Sequence, residues 1–285
     1  MRPPNLPTAA ADIITGAAIV GVFAQGWVQF PLDLILLIFA SILLYAGGVV
    51  LNDVFDHKID AKERPERPIP RGAVSLGSAA VLGGTLLLLG MLLSFSCNKE
   101  AGFVSIALIS AILLYDALAK NHSFFGPLVM GSCRGLNLLL GMSLFGLPVG
   151  AYWYFILLPI IYIGAVTLIS RGEVHGNNKR NIILSGFLYL LVASIIFLIM
   201  LREENHLIMV IPFLMLFVFS IFRPLIKAYK VNTPENIKKA VKSGVLSLVL
   251  MDAALASASS TWWVGLLIIL LLPLSLFLSK RFSVT

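Results

Sequence analysis

Three aspartates follow the second apolar run of this chain at regular spacing. The stretch NDVFDHKIDAKERPERPIPRG, residues 52–72, places Asp53, Asp56 and Asp60 at positions i, i+3 and i+7. If a helix continues through them, their side chains fall within an arc of roughly 60°, with Asn52 next to Asp56. Carboxylates this close repel one another unless a cation lies between them, and oxygen ligands of this kind suit Mg²⁺, which shares its remaining positions with water and phosphate. The aspartates therefore predict a magnesium site.

Arginines follow the aspartates directly, at Arg64, Arg67 and Arg71, in a segment stiffened by prolines. Guanidinium groups match the geometry of phosphate oxygens. Carboxylates for a metal followed by arginines for phosphate indicate a diphosphate site at a membrane surface. The alternative is an ordinary charged loop, and the combination of residues favours the site. A calcium loop of the EF-hand type is not indicated, because its glycine and its twelfth-position glutamate are absent.

The elements that must position these residues are apolar helices. Of the 285 residues, 59% are hydrophobic and only 12% are charged, which is about half the charged content of a soluble domain. This composition predicts an all-α, polytopic integral membrane protein that forms a single domain over residues 1–285. Ten apolar runs can be distinguished, although the ninth and tenth are barely separated, so we expect nine or ten crossings. The runs are about 9–29, 33–53, 76–97, 101–118, 126–147, 152–170, 181–201, 206–226, 240–259 and 262–279.

The distribution of positive charge predicts the orientation of these runs. With ten crossings and the N-terminus inside, only Lys99 and Arg202 of the 21 lysines and arginines fall in outside loops, and Arg134 falls within a run. This asymmetry places the N-terminus and the aspartate stretch on the cytoplasmic side of the cell inner membrane. The net charge of +7 therefore reports topology and does not indicate a nucleic-acid partner.

The aspartate stretch resembles the first aspartate-rich motif, NDxxDxxxD with a downstream RP-x-x-x-G, of the UbiA superfamily of intramembrane prenyltransferases. Its position after the second helix is similar too, and the resemblance extends over most of the chain. It implies a UbiA-like bundle of about nine transmembrane helices around a central cavity. It also implies that Asn52, Asp53, Asp56 and Asp60 hold Mg²⁺ and the diphosphate of an isoprenyl donor, and that Arg67 is the arginine of the RP pair.

Two further stretches carry candidate site residues. Tyr115 and Lys120 in YDALAK resemble a Tyr-x-x-x-x-Lys stretch of the superfamily whose lysine helps to hold phosphate, although a lysine snorkelling from a helix end is the plain alternative. Arg134 and Asn137 lie within the fifth run, where a buried arginine needs a partner or a polar cavity. Arg134 either faces the diphosphate cavity or forms an interhelical ion pair with Asp116 or Asp252, and Asn137 faces the acceptor or tunes the cavity.

The loop after the sixth run, LISRGEVHGNNKRN, departs from the superfamily, which carries a second aspartate motif at this position. Glu173 is its only carboxylate. Glu173 could hold a second Mg²⁺ with His175 or with Asn177, which shares its face if the turn is helical. Alternatively, the loop binds phosphate through Arg171 and Lys179 and holds no metal. Together with CRGLN in the fifth run and AVKSGVLSLVLMDAALA in the ninth, this loop most resembles the UbiA-like branch encoded in bacterial ebo gene clusters.

These observations predict a prenyltransferase that moves an isoprenyl group from a polyprenyl diphosphate to an aromatic or lipid-like acceptor within the membrane. Asp53, Asp56 and Lys120 are the expected catalytic residues, and Mg²⁺ is the expected cofactor. The expected partners are the isoprenyl diphosphate donor, a small hydrophobic acceptor and membrane lipids. The altered second motif motivates a different hypothesis, in which the protein binds or transports a lipid or an aromatic metabolite without turning it over.

Overall fold

Helices of very different length build the protein in our computed structural model, which describes residues 6–23, 31–144, 153–174, 176–202 and 207–281. No strand occurs in these ranges, so the prediction of an all-α chain is confirmed. Arg2 and His175 lie outside the described residues. The α-helices, numbered α1 to α13, are Leu6–Ile19, Leu32–Phe55, His57–Glu63, Leu76–Cys97, Lys99–Leu114, Phe125–Met142, Leu157–Ser170, Lys179–Arg202, Leu207–Lys230, Pro234–Leu246, Leu248–Ser259, Trp262–Ile269 and Leu271–Arg281.

Six helical segments of the described chain are long and apolar enough to cross a membrane. They are Leu32–Phe55, Leu76–Cys97, Lys99–Ala119, Lys179–Arg202, Leu207–Lys230 and Pro234–Ser259, and three shorter apolar helical segments accompany them. The number of nine or ten crossings therefore stays a prediction. Many leucines and phenylalanines on these helices are exposed, which suits a surface that faces hydrocarbon.

Two helices form the centre of the bundle. Nearly every residue of α1 and of α11 is buried, and the two helices pack against each other and against the surrounding helices. Both are rich in alanine and other small residues, which lets neighbouring backbones approach closely. At Gly141 of α6 an added Cβ would lie 2.7 Å from the Cα of Ile13 in α1, so a side chain would push the two helices apart. This close contact brings the polar residues of α1 next to those of α6.

A π-helical turn, Tyr115–Ala119, follows α5 and changes which side chains face the bundle centre. Lys120 lies twelve positions after Leu108, and in a regular helix twelve steps would turn its side chain about 120° around the helix axis from that of Leu108. A π-turn winds more slowly, and such turns are frequent at functional sites. Leu108, Tyr115, Asp116 and Lys120 consequently line the same cavity.

Candidate functional site

A cavity of about 440 Å³ lies in the bundle, and its polar residues gather at two ends. Its wall is apolar, with residues such as Leu108, Ile112, Ile163, Val166 and Leu248. The first end, which we call the carboxylate end, comprises Asn52, Asp56, Arg64, Tyr115, Asp116, Lys120 and Glu173. The second, which we call the polar floor, comprises Thr8, Ser41, Arg134 and Asn137. Eight of the residues expected at the site thus line one cavity.

Helix α2 runs along the cavity and shows how far apart its two ends are. Ser41, Tyr45, Gly48, Val49 and Asn52 recur at helical spacing and line the cavity along one face of α2. Asn52 lies eleven positions after Ser41, and eleven helical steps of 1.5 Å correspond to about 16 Å along the helix axis. The cavity therefore runs along α2, with the carboxylate end at the end of this helix and the polar floor near its middle.

Asp56 and Lys120 form a salt bridge at the carboxylate end, although 64 positions separate them in the chain. Both side chains are mostly buried, with 21% and 14% of their surfaces exposed. Helix α2 ends at Phe55 and α3 begins at His57, so Asp56 lies at the junction between them. Backbone hydrogen bonds from Asp56 to Asn52 and from Asp60 to Asp56 carry the helical path through this position, as expected. Asp56 alone of the three aspartates nevertheless lines the cavity.

Arg67 bridges the other two aspartates. Its Nη1 donates to Oδ2 of Asp60 over 2.6 Å and to Oδ1 of Asp53 over 3.3 Å. The segment between α3 and α4 thus folds back onto the aspartates, so that Arg67 binds carboxylates in this structure, whereas the sequence predicted arginines that bind phosphate. Arg64 lines the cavity, whereas Arg71 does not, and both arginines are exposed.

The carboxylate end fits Mg²⁺ that is shared with a phosphate group, and it does not fit a closed protein cage. No group of three or more His, Cys, Asp or Glu residues is arranged to hold a metal ion within the described ranges. The aspartates instead have cationic partners in Arg67 and Lys120. Carboxylate oxygens are the hard ligands that Mg²⁺ prefers, and this ion usually keeps positions for water and substrate phosphates. Of the three aspartates predicted to hold it, Asp56 lines the cavity, whereas Asp53 and Asp60 share Arg67.

Asn52 is oriented by Asp116 of the π-turn. Its Nδ2 donates to Oδ1 of Asp116 over 2.8 Å. Because a carboxylate only accepts hydrogen bonds when ionised, this contact sets the amide so that its oxygen points away from Asp116. The sequence singled out Asp116 only as a possible partner of Arg134. The expected Arg134–Asp116 pair is not formed; the π-turn places the carboxylate against α2.

Arg134 has a partner that the sequence interpretation missed. Its Nη2 donates to Oδ1 of Asp12 in α1 over 2.9 Å, so its salt bridge is with Asp12 and not with the alternative partners Asp116 or Asp252. Arg134 also lines the cavity, as the other interpretation expected. Arg134 also donates to the side chain and the carbonyl of Thr8. The signal that could have found Asp12 is a lone aspartate within an apolar run, which needs a partner in the membrane.

Asn137 completes the buried network. Its Nδ2 donates to Oδ2 of Asp12 over 2.7 Å, and its Oδ1 accepts a hydrogen bond from Ser41 over 2.7 Å. The network therefore joins α1, α2 and α6 through side chains and through backbone carbonyls of α1.

The loop after α7 brings one of its expected residues to the cavity. Glu173 lines it, and burial raises the pKa of this carboxyl, while the positive charges of Lys238 and Arg64 oppose the shift. The helical turn on which a shared face of Glu173 and Asn177 depends is not formed, because Asn177 adopts a left-handed conformation with φ of 53°. The other expected ligand, His175, lies outside the described residues.

The two basic residues of this loop that were expected at the site, Arg171 and Lys179, do not line the cavity. Arg171 is exposed and donates to the carbonyl of Ser123, and Lys179 lies over the ring of Tyr229, 5.6 Å from its centroid. The loop therefore contributes a carboxyl and not the expected cations to the carboxylate end.

A family comparison agrees with this arrangement of helices and cavity. Residues 13–240, most of the chain, match the model of the UbiA prenyltransferase family. The chain belongs to the UbiA prenyltransferase family. Among curated relatives of this UbiA family chain, digeranylgeranylglyceryl phosphate synthase of Methanosarcina barkeri is 39% identical over 120 residues, which cover 42% of each chain. The chain spans about half of the length of the curated relatives that it matches, and the names of these relatives do not show the ebo branch.

Solved structures share the fold of this UbiA family chain. The apo structure of a UbiA homolog from Aeropyrum pernix K1 aligns with a TM-score of 0.71 at 15% identity, and covers 89% of this chain and 98% of the homolog. A UbiA homolog from Archaeoglobus fulgidus, bound to GPP and Mg²⁺, aligns with a TM-score of 0.58 at 13% identity and covers 85% and 99%. Identities this low establish the fold alone.

Proposed function

We propose that this UbiA family chain transfers an isoprenyl group from an isoprenyl diphosphate to a small hydrophobic acceptor, and that the reaction takes place at the carboxylate end of the cavity. The observation that carries this proposal is the meeting of Asp56 and Lys120 where an apolar cavity ends. An apolar wall suits the isoprenyl tail, while carboxylates and cations suit the metal and the phosphate oxygens.

The charged residues at this end have complementary roles in the proposed reaction. Asp53, Asp56 and Asp60 would hold Mg²⁺, which when bound would stabilise negative charge on the departing diphosphate. Lys120 and Arg64 line the cavity beside them and are placed to neutralise the diphosphate oxygens. Arg67, which now neutralises Asp53 and Asp60, can exchange its carboxylate partners for phosphate oxygens.

The bond changes of the transfer take place next to the apolar wall. The C–O bond between the isoprenyl carbon and the diphosphate breaks, and its electron pair stays with the diphosphate. The acceptor nucleophile then bonds to the same carbon, and its proton passes to the released diphosphate. Residues such as Ile112 and Val166 exclude water from the allylic cation, which would otherwise be captured as an alcohol.

Orientation, extent and partners belong to the same proposal. The bias of lysines and arginines supports a carboxylate end that faces the cytoplasm from the inner membrane. Membrane lipids would contact the exposed apolar faces of helices such as α8 and α9. The chain would function as one domain over residues 1–285, and its altered loop after α7 supports placement in the ebo branch.

A second candidate function is binding or transport of a lipid or an aromatic metabolite without turnover. Glu173 is the only carboxylate that the loop after α7 brings to the cavity, which favours this alternative if two metals are needed for catalysis. The two functions differ in whether diphosphate is released.

Diphosphate release tests the proposal directly. Purified protein is mixed with isoprenyl diphosphates of several lengths and an acceptor extract, with Mg²⁺ or with EDTA. We expect Mg²⁺-dependent release by the parent and by Asp33→Ala, a matched change of an exposed aspartate in the first turn of α2. Asp56→Ala should abolish release. Turnover by Asp56→Ala would refute the mechanism, and bound donor without release from the parent would support the carrier.

A further inference from the structure

The polar floor presents an arginine to the cavity with its counter-ion behind it. Arg134 and Asn137 line the cavity, whereas Asp12, to which both donate, does not. Only 1% of the Asp12 side chain is exposed, compared with 10% for Arg134. A molecule that reaches the floor therefore meets hydrogen-bond donors first and the carboxylate only indirectly.

The charge of this arginine is already balanced. Asp12 forms a buried salt bridge with Arg134, and Asp252 of α11 lies beside Asp12. An anionic ligand would meet two buried carboxyl groups against one guanidinium, and the loss of its hydration would not be offset. A neutral ligand group carries a much smaller desolvation cost. The charges of the floor thus disfavour a carboxylate or a phosphate.

Arg134 nevertheless keeps hydrogen-bonding capacity. A guanidinium has five N–H donors, and the bonds to Thr8 and Asp12 account for three of them. Its Nε is buried and has no hydrogen-bond partner among the residues that the structure describes. Because protein atoms enclose Nε, the donor left for an oxygen of a bound molecule is the second N–H of Nη1, of which only one N–H is used by Thr8. A hydrogen bond from this charged group to such an oxygen would lower the free energy of the complex.

We propose that the polar floor is the binding site for a neutral oxygen atom, a ketone or an ether, of an otherwise apolar acceptor substrate. The proposal rests on the proposed function, because it identifies the chemical class of the acceptor for the same cavity. Arg134 is the specificity-determining residue, and Asn137 and Ser41 hold the network around it. The acceptor's nucleophile would point from the floor towards the carboxylate end.

The dimensions of the cavity agree with this assignment. The floor and Asn52 are about 16 Å apart along α2, a length that a single-ring molecule and the head of an isoprenyl diphosphate can share end to end. The wall between them is apolar, with Ile112, Ile163 and Val166 among its residues. A ring with oxygen at both ends would therefore have one oxygen at the floor and the other facing the donor.

Three phenols that differ only in the group opposite the hydroxyl test this proposal. They are 4-hydroxyacetophenone with a neutral carbonyl, 4-hydroxybenzoate with a carboxylate, and 4-ethylphenol with neither. Their dissociation constants are measured by calorimetry on the purified full chain, without Mg²⁺ and without donor. We expect 4-hydroxyacetophenone to bind about tenfold more tightly than either of the others, as one hydrogen bond to a charged group predicts.

Two variants connect that preference to Arg134. Arg134→Lys keeps a cation beside Asp12 but removes the spare guanidinium donors, so the preference for the carbonyl should disappear. Arg202→Lys, a matched change at an exposed position at the end of α8, should keep it. Ser41→Ala loosens Asn137 without removing a charge and should reduce the preference in part. If Arg134→Lys does not fold, the order of the three dissociation constants in the parent and in Ser41→Ala still tests the proposal.

Each outcome has one meaning. Equal or tighter binding of 4-hydroxybenzoate would overturn the proposal in favour of an anion site. Equal binding of all three phenols, or a preference that Arg134→Lys leaves intact, would show that the network serves only to hold α1 against α6. Because binding is measured without donor, a failure of diphosphate release leaves this result unaffected, and the two proposals can fail separately.

Discussion

Asn52 and Asp116 are joined by a hydrogen bond of 2.8 Å, from the amide Nδ2 in α2 to the carboxylate Oδ1 in the π-turn. Asp116 is 3% exposed and lines the cavity with Asn52. The partner of an amide decides whether its oxygen or its nitrogen faces a third group. Asp116 therefore leaves the amide oxygen of Asn52 facing the other residues of the carboxylate end, where the proposed Mg²⁺ needs oxygen ligands.

Asp116→Asn should weaken the response to Mg²⁺ without unfolding the protein. An asparagine can donate as well as accept, so it no longer fixes the orientation of the Asn52 amide. We expect the Mg²⁺ concentration for half-maximal diphosphate release to rise about tenfold, because a hydrogen bond to a charged group is lost. Asp33→Asn, at an exposed site in α2, should leave it unchanged. An unaltered Mg²⁺ response in Asp116→Asn would show that Asn52 is held by other contacts.

Arg67 should substitute for the metal when the metal is removed. It bridges Asp53 and Asp60, whose side chains are only 22% and 6% exposed. In EDTA, Arg67→Ala leaves these carboxylates without their guanidinium and should lower the apparent melting temperature by several degrees, since breaking a buried pair costs about 3 kcal/mol.

Saturating Mg²⁺ should restore much of the stability of Arg67→Ala, because the cation takes over the same carboxylates. Thermal unfolding of the purified protein measures both effects. Arg71→Ala removes an exposed arginine from the same segment and should show neither. If Mg²⁺ stabilises Arg67→Ala no more than the parent, the ion does not bind at these aspartates.

The sequence predicted the helical class and singled out most residues that line the carboxylate end, though not the place of Asp116 there, because both have local signals. Apolar runs indicate helices in a membrane, and a spaced set of aspartates with arginines indicates metal and phosphate. Asp56 and Lys120 are 64 positions apart in the chain, but each directly follows an apolar run. The predicted topology therefore already placed both residues at the same membrane surface.

The polar floor could not be assembled in the same way. Arg134 was recognised as buried, but its partner depends on which helices are neighbours, and hydropathy does not contain that information. Asp12 reaches Arg134 because small residues let α1 and α6 pack closely. The π-turn that directs Asp116 to Asn52 likewise has no amino-acid pattern by which the sequence could predict it. Residue chemistry was therefore predictable, whereas the pairing of distant side chains required the fold.

Gly141→Ala should destabilise the protein and disturb the polar floor together. The added Cβ would lie 2.7 Å from Cα of Ile13, and backbone cannot move aside as a flexible side chain does. We expect a loss of about 1–3 kcal/mol, as for overpacked cores, and weaker binding of 4-hydroxyacetophenone because Asp12 moves with α1. Gly84→Ala, in a helix where the new Cβ meets nothing within 4 Å, should be neutral or slightly stabilising. Equal effects of the two changes would refute the close packing of α1 and α6.

Glu173 should give the protein a dependence on pH that Glu173→Gln removes. Burial raises the pKa of Glu173 above its ordinary value of 4.5, so between 4.5 and the raised pKa the folded protein binds more protons than the unfolded chain. Stability therefore falls as pH rises through that window. The melting temperature of Glu173→Gln should increase relative to the parent as pH rises, and the difference should vanish below 4.5.

Glu235 provides a control of opposite sign. Its salt bridge with Lys239 lowers the pKa of Glu235, so the stability that this carboxylate contributes is present above the ordinary value of 4.5 and is lost as pH falls through the lowered pKa. Glu235→Gln should therefore lose stability relative to the parent as pH rises, and the effect should be small because the pair is exposed. If Glu173→Gln changed in the same direction as Glu235→Gln, Glu173 would be a charged partner of Lys238 or Arg64, and the carboxylate end would be more negative than burial implies.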